Sequence, residues 1–202
     1  MLIIIEGANG VGKTTLTMNL DYDYIHFPTG DNKCSESILN HHLYSDMSGK
    51  KFRSDPNHKH AQNFARLDIL SNLAMLDDIA KNKIVISDRS LLSNLIYSGK
   101  SIQEFDILYE YLNTITCKII FIILYANDHN ILVNRISNRK KDDELTNKLM
   151  KRIKAETIMV NNMFRNYYFN KSLLTCDINI IKIPIDNLDE NQLVEKIKSI
   201  IN

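Results

Sequence analysis

Gly7-Ala8-Asn9-Gly10-Val11-Gly12-Lys13-Thr14-Thr15 follows directly on the apolar run Leu2–Ile5. A buried strand leading into a G-x-x-x-x-G-K-T loop is the context in which such a loop cradles a phosphate chain. Gly7, Gly10 and Gly12 let the backbone turn tightly, and the N–H groups of Gly7 through Thr15 can converge on an anion. Lys13 can reach the terminal phosphates, and the Thr14 hydroxyl can sit on Mg²⁺. A helix starting near Lys13 aims its positive end at the same anion. The loop predicts a nucleoside triphosphate site and leaves the fate of the phosphate open.

The rest of the chain alternates strand and helix. Apolar runs predict strands at Leu2–Glu6, Tyr24–Phe27, Lys83–Ser87, Lys118–Tyr125 and Ile178–Ile183. Helical spacing predicts helices at about Lys13–Leu20, Ser35–Ser45, Asp55–Asn82, Leu91–Ser98, Gln103–Thr114, Asp128–Ser137, Thr146–Asn170 and Asp189–Ile201. Such alternation gives a parallel five-stranded sheet with helices on both faces. The 202 residues fit one α/β domain, with no repeat or linker. A net charge of +1 gives no general pull toward nucleic acid or membrane. Cys34, Cys117 and Cys176 lack metal or redox spacing and read as free thiols of a reducing, cytoplasmic compartment. There is no signal peptide pattern and no span long enough for a bilayer.

Ligands of such sheets bind at the carboxyl ends of the strands. Asp88 closes the strand Ile84–Ser87, where a carboxylate can approach Mg²⁺; the alternative is a turn cap. Arg89 follows and can grip a phosphate with two parallel bonds, or else pair with Asp88. Arg135 and Arg139 share a helix face and run into Lys140-Lys141-Asp142-Asp143-Glu144. That run is either solvated surface or a lid, at about residues 136–146, bringing cations to the transferred group. Phe64 lies at core spacing. The second strand ends His26-Phe27-Pro28, without the acid that would help a hydroxyl acceptor; an ionised phosphate acceptor needs no base.

These residues resemble the thymidylate kinase family of nucleoside monophosphate kinases. Glu6–Thr15 resembles its phosphate loop. Phe27-Pro28, Gln62–Ala65, Asp88-Arg-Ser-Leu-Leu-Ser-Asn-Leu-Ile-Tyr97 and Phe164–Tyr168 resemble its later blocks. The resemblance implies a three-layer phosphate-loop kinase fold with a mobile lid, transfer of the ATP γ-phosphate to dTMP with Mg²⁺, and a homodimer. It implies that Phe64 stacks on the thymine and that Arg89 holds the acceptor phosphate. Ser93 and Asn94 would lie by the base, Tyr97 under the deoxyribose, and Tyr168 over the pocket, with Phe27 and Pro28 lining it. Gly10 stands where some members carry a catalytic arginine, so Arg135 and Arg139 become the candidates. Several positions depart from the family: Asn9 replaces an aspartate, Asp68 stands where an arginine helps read thymine, and Ser90 replaces an aromatic. These departures keep a deoxynucleoside kinase, a monophosphate kinase of altered base preference, and a non-catalytic nucleotide-binding protein as alternatives.

Overall fold

The computed structural model describes residues 1–27, 61–97, 105–139 and 147–201. Five strands, β1 (Leu2–Gly7), β2 (Asp23–His26), β3 (Val85–Asp88), β4 (Ile119–Tyr125) and β5 (Ile178–Pro184), form one sheet in the order β2-β3-β1-β4-β5. All pairings are parallel. The described α-helices are α1 (Lys13–Asn19), α2 (Ala61–Asn82), α3 (Leu91–Tyr97), α4 (Asp106–Asn113), α5 (His129–Arg139), α6 (Asn147–Asn166) and α7 (Glu190–Ile201). The helix expected at Ser35–Ser45, the start of the helix expected at Asp55, and Lys140–Thr146 of the expected lid lie outside the described residues. No described helix is long and apolar enough to cross a membrane.

The order follows from hydrophobicity. β1 and β4 are nearly continuous apolar runs, buried on both faces as central parallel strands must be. β2 is one of the two edge strands and is largely exposed. The core gathers Leu2–Ile5, Ile119–Leu124, Leu91, Leu95, Leu132 and Phe164.

Register decides where chemistry can happen. Ile5 pairs with Asp88, and His26 pairs with the same Asp88 from the other side. The carboxyl ends of β1, β2 and β3 therefore stand side by side, under the glycine loop.

One helix stops earlier than its periodicity predicts. α6 ends at Asn166, about one turn before Asn170. The Lys182 ammonium on β5 donates to the carbonyl oxygens of Arg165 and Tyr167, the latter at 2.9 Å, and so satisfies the end of the helix. Tyr167 and Phe169 then turn inward. Tyr167 stacks on Phe105, and Phe169 meets Phe121 edge-on. The residue between them must point outward.

Asp77 of α2 ties that helix to the entry of β4. Its Oδ1 accepts from the N–H groups of Thr116 and Cys117, at 2.9 and 3.0 Å, and its Oδ2 accepts from the Thr116 hydroxyl at 2.7 Å. Burial opposes the charge, but these bonds outweigh it and hold the carboxyl at about 2, below the ordinary 3.8. A depressed folded value means stability that is present above the unfolded value and lost as pH falls through the folded one. Asp77→Ala is expected to cost about 2–3 kcal/mol at neutral pH, and the gap to wild type should narrow below pH ~4. Denaturant unfolding of both proteins across pH 7 to 3 checks this, and a gap independent of pH would refute it.

Candidate active site

The loop between β1 and α1 is shaped by glycine. Gly7 has φ +145°, and a Cβ there would meet the Leu124 carbonyl oxygen at 2.4 Å. Only glycine lets β1 leave the sheet against the end of β4 at this point. Gly12, at φ +95°, precedes α1 as its N-cap. Lys13 is buried, with its ammonium donating to the carbonyls of Gly7 at 2.7 Å and Ala8 at 3.0 Å. The cation thus sits inside the cradle that its own loop forms.

Asp88 is the last residue of β3 and fully buried. Its Oδ2 accepts from the Thr14 hydroxyl at 3.0 Å and faces His26 Nδ1 at 2.8 Å. Its Oδ1 is buried with no hydrogen-bond partner among the described residues. Burial pushes the carboxyl up, yet the His26 bond and the charges of Lys13, His26 and Arg89 bring it below the ordinary range. An ionised, buried, unpartnered oxygen next to a threonine hydroxyl fits a hard divalent cation, which takes few carboxylates plus phosphate oxygens. Thr14 and Asp88 are the residues here that could hold Mg²⁺.

Arg89 departs from ordinary backbone geometry. Its φ is +79°, and its N–H donates to Ile5 O at 2.9 Å. Such strain in a non-glycine residue persists only where surrounding contacts enforce it. The result is a guanidinium spanning the site. Nη2 donates to Asn9 Oδ1 at 2.7 Å, Nη1 lies 3.4 Å from Ser93 Oγ, and the group lies 5.3 Å from the Tyr97 ring centroid. Asn9, Arg89, Ser93 and Tyr97 therefore form one wall.

Behind that wall lies a group that sequence reasoning missed. Glu6 is fully buried, and its Oε1 accepts from Ser90 N at 2.7 Å, Ser90 Oγ at 2.6 Å and Ser93 N at 3.1 Å. Its Oε2 accepts from the Ser93 hydroxyl. Burial pushes this carboxyl up, against the bonds from Ser90 and Ser93 and the Arg89 charge. Ser90, a departure from the family pattern, is here a clamp on Glu6.

Arg66 was also missed. It lies near the N-terminal end of α2, and its Nε donates to Asn94 Oδ1 at 3.1 Å. Asn94 is buried beside Ser93, so a second guanidinium reaches the region of the Arg89 wall. A lone helix arginine reads as solvated surface from sequence, and no spacing flags it. His26 carried only one signal, its place at the end of a strand.

The other side of the loop is different. Gly10, Thr15, Leu16, Arg135, Ile185 and Leu188 help line a cavity of about 210 Å³ beside α1. Arg135 Nη1 donates to the Gly10 carbonyl at 3.3 Å. The cavity's neighbouring chain is braced. Asn161 of α6 holds both the N–H and the carbonyl of Ala126, at 3.0 and 2.8 Å, and Asp186 accepts from the N–H groups of Asn127 and Asp128. This arrangement can take a flat base with its phosphates running into the loop.

Not every expected residue joins the site. Tyr168 is 80% exposed, with Lys182 4.4 Å from its ring centroid at edge strand β5, across the sheet from β3 and Arg89. The shortened α6 explains this, since the outward residue of the Tyr167–Phe169 segment has nowhere else to go. Phe27 is buried in the core, its N–H donating to the Asp88 carbonyl at 3.0 Å. Pro28 and the side chains of Phe64, Asp68 and Arg139 lie outside what is described.

The sequence model of the thymidylate kinase family matches residues 5–179. The chain belongs to that family. A comparison with curated proteins finds no match. Among solved structures, thymidylate kinase from Candida albicans is similar at a TM-score of 0.59 and 18% identity, covering 99% of this chain and 90% of its own. Deoxyadenosine kinase from M. mycoides is similar at a TM-score of 0.58 and 17% identity, covering 100% of this chain and 99% of its own. At such identities the two likenesses establish the phosphate-loop kinase fold. Family membership supports a nucleoside monophosphate kinase of the ATP-dependent type.

Proposed function

We propose that this chain transfers the γ-phosphate of ATP to the phosphate of dTMP, giving dTDP and ADP. The observation that carries the reading is the strained Arg89, whose guanidinium stands between Asn9 and Ser93, next in sequence to the Asp88 corner. A phosphate gripped there would face a triphosphate seated on the loop. An acceptor phosphate oxygen forms the new bond to the γ-phosphorus as the bond to the bridging oxygen of ADP breaks. No general base is required, because the acceptor is already ionised. Mg²⁺, held by Thr14 and Asp88, would neutralise charge on the donor phosphates. Lys13 neutralises the terminal phosphates, and the loop amides orient them.

The cavity beside Gly10 supports a place for the donor base, with Arg135 against one side. The same contact supports Arg135 at the donor nucleotide, with Arg139, one turn further along α5, as the other candidate for the transferring group. Arg66 supports the thymine assignment. It brings to Asn94 the guanidinium that position 68 lacks, and an arginine offers only donors, which suit the keto oxygens of thymine. Homodimeric assembly, a cytoplasmic location and a role in dTTP synthesis belong to the same proposal.

An ADP-release assay across dTMP, dUMP, dGMP, dCMP, dAMP and thymidine tests the reading. The highest kcat/KM is expected for dTMP. Arg66→Ala is expected to lower that value about tenfold to a hundredfold, with less effect on dCMP and dAMP. Turnover of thymidine but of no monophosphate would overturn the proposal in favour of a nucleoside kinase.

A further inference from the structure

We propose that His26 is a positioning residue that orients Asp88 toward the magnesium ion of the bound nucleotide. The proposal rests on the magnesium-nucleotide reading above. β2 and β3 pair in parallel with His26 opposite Asp88, so the contact is set by strand register. Nδ1 stands 2.8 Å from Oδ2. An ionised carboxylate only accepts, so the proton of this bond sits on Nδ1. The Thr14 hydroxyl donates to the same Oδ2 at 3.0 Å. Two donors on one oxygen fix the carboxylate plane, and Oδ1 is left buried without a partner among the described residues. With its hydrogen engaged in that bond to Asp88, the Thr14 hydroxyl presents lone pairs. Both Thr14 and Oδ1 thereby keep lone pairs for a cation, and His26 holds the plane that makes this so.

The plainer role for His26 is to close the end of an edge strand. Its side chain is 46% exposed, which an edge position alone explains. The two roles separate on metal dependence. Partners that orient a metal-binding side chain act on metal affinity, whereas an edge contact acts on stability alone.

Calorimetric titration of ATP into wild type, His26→Ala and His26→Asn, each with Mg²⁺ and with EDTA, distinguishes them. His26→Ala is expected to lose about tenfold of the Mg²⁺-dependent gain in ATP affinity, with its EDTA value unchanged. His26→Asn retains an N–H donor on a short side chain and is expected to recover part of that gain. Thermal melts confirm folding, and Mn²⁺ bound to the ATP complex, followed by electron paramagnetic resonance, gives a second readout. Equal losses with and without metal, or no loss at all, would overturn the proposal while leaving the magnesium reading intact. Wild-type affinity that is the same with Mg²⁺ and EDTA would overturn both.

Discussion

Lys13→Met is expected to lower kcat about a thousandfold, or ~4 kcal/mol of transition-state stabilisation. The ammonium already lies inside the loop, held at 2.7 and 3.0 Å by the Gly7 and Ala8 carbonyls. A triphosphate entering the loop offers it stronger, charged partners within the same reach. Its value grows as negative charge gathers on the transferring group, so the loss falls mainly on kcat. Methionine preserves the buried stem. It forfeits two hydrogen bonds, worth about 1 kcal/mol each, so the melting temperature should fall only modestly. The acceptor KM should hold, because the Asn9–Arg89–Ser93 wall lies elsewhere. Steady-state kinetics with a thermal melt checks all three quantities. A kcat within tenfold of wild type would remove Lys13 from the chemistry. Lys13→Arg is expected to fail as well, since a planar fork does not fit a space closed by two carbonyls.

Residue spacing conveyed some of this molecule and concealed the rest, for physical reasons. β1 and β4 were legible because a strand buried on both faces must be apolar throughout. The glycine loop was legible because each of its positions has a local steric or charge requirement. Non-local contacts were hidden. Glu6 and Ser90 are 84 residues apart, and nothing in either neighbourhood announces the other. Arg66 was hidden by its type, since arginines on helix faces mostly face water. The end of α6 was misjudged because apolar spacing continues past Asn166, while Lys182, from a strand later in the chain, closes the helix carbonyls first. Tyr168 is a different case. Family likeness carried it to the acceptor pocket, whereas chain geometry puts it at the opposite edge of the sheet.

Glu6→Ala is expected to destabilise the protein by about 4 kcal/mol, among the largest effects of any single change here. The carboxylate accepts from two backbone N–H groups and two hydroxyls, all of them buried. Removing it strands those N–H groups, because the hydroxyls can rotate toward other acceptors but backbone amides cannot. It also releases the turn that holds Arg89 at φ +79°. Glu6→Gln separates the two consequences. Its carbonyl oxygen can keep the three bonds now made to Oε1, and its amide can meet the Ser93 oxygen, so the stability cost should be about 1–2 kcal/mol. The charge facing Arg89 is nevertheless gone. The guanidinium should then be held less firmly between Asn9 and Ser93, and the acceptor KM should rise several-fold with the ATP KM unchanged. Urea unfolding of both variants, with acceptor kinetics of Glu6→Gln, tests the pair. Glu6→Ala as stable as wild type would show that the turn after β3 stands without its buried carboxylate. An unchanged acceptor KM in Glu6→Gln would show that Arg89 is positioned by the backbone and Asn9 alone.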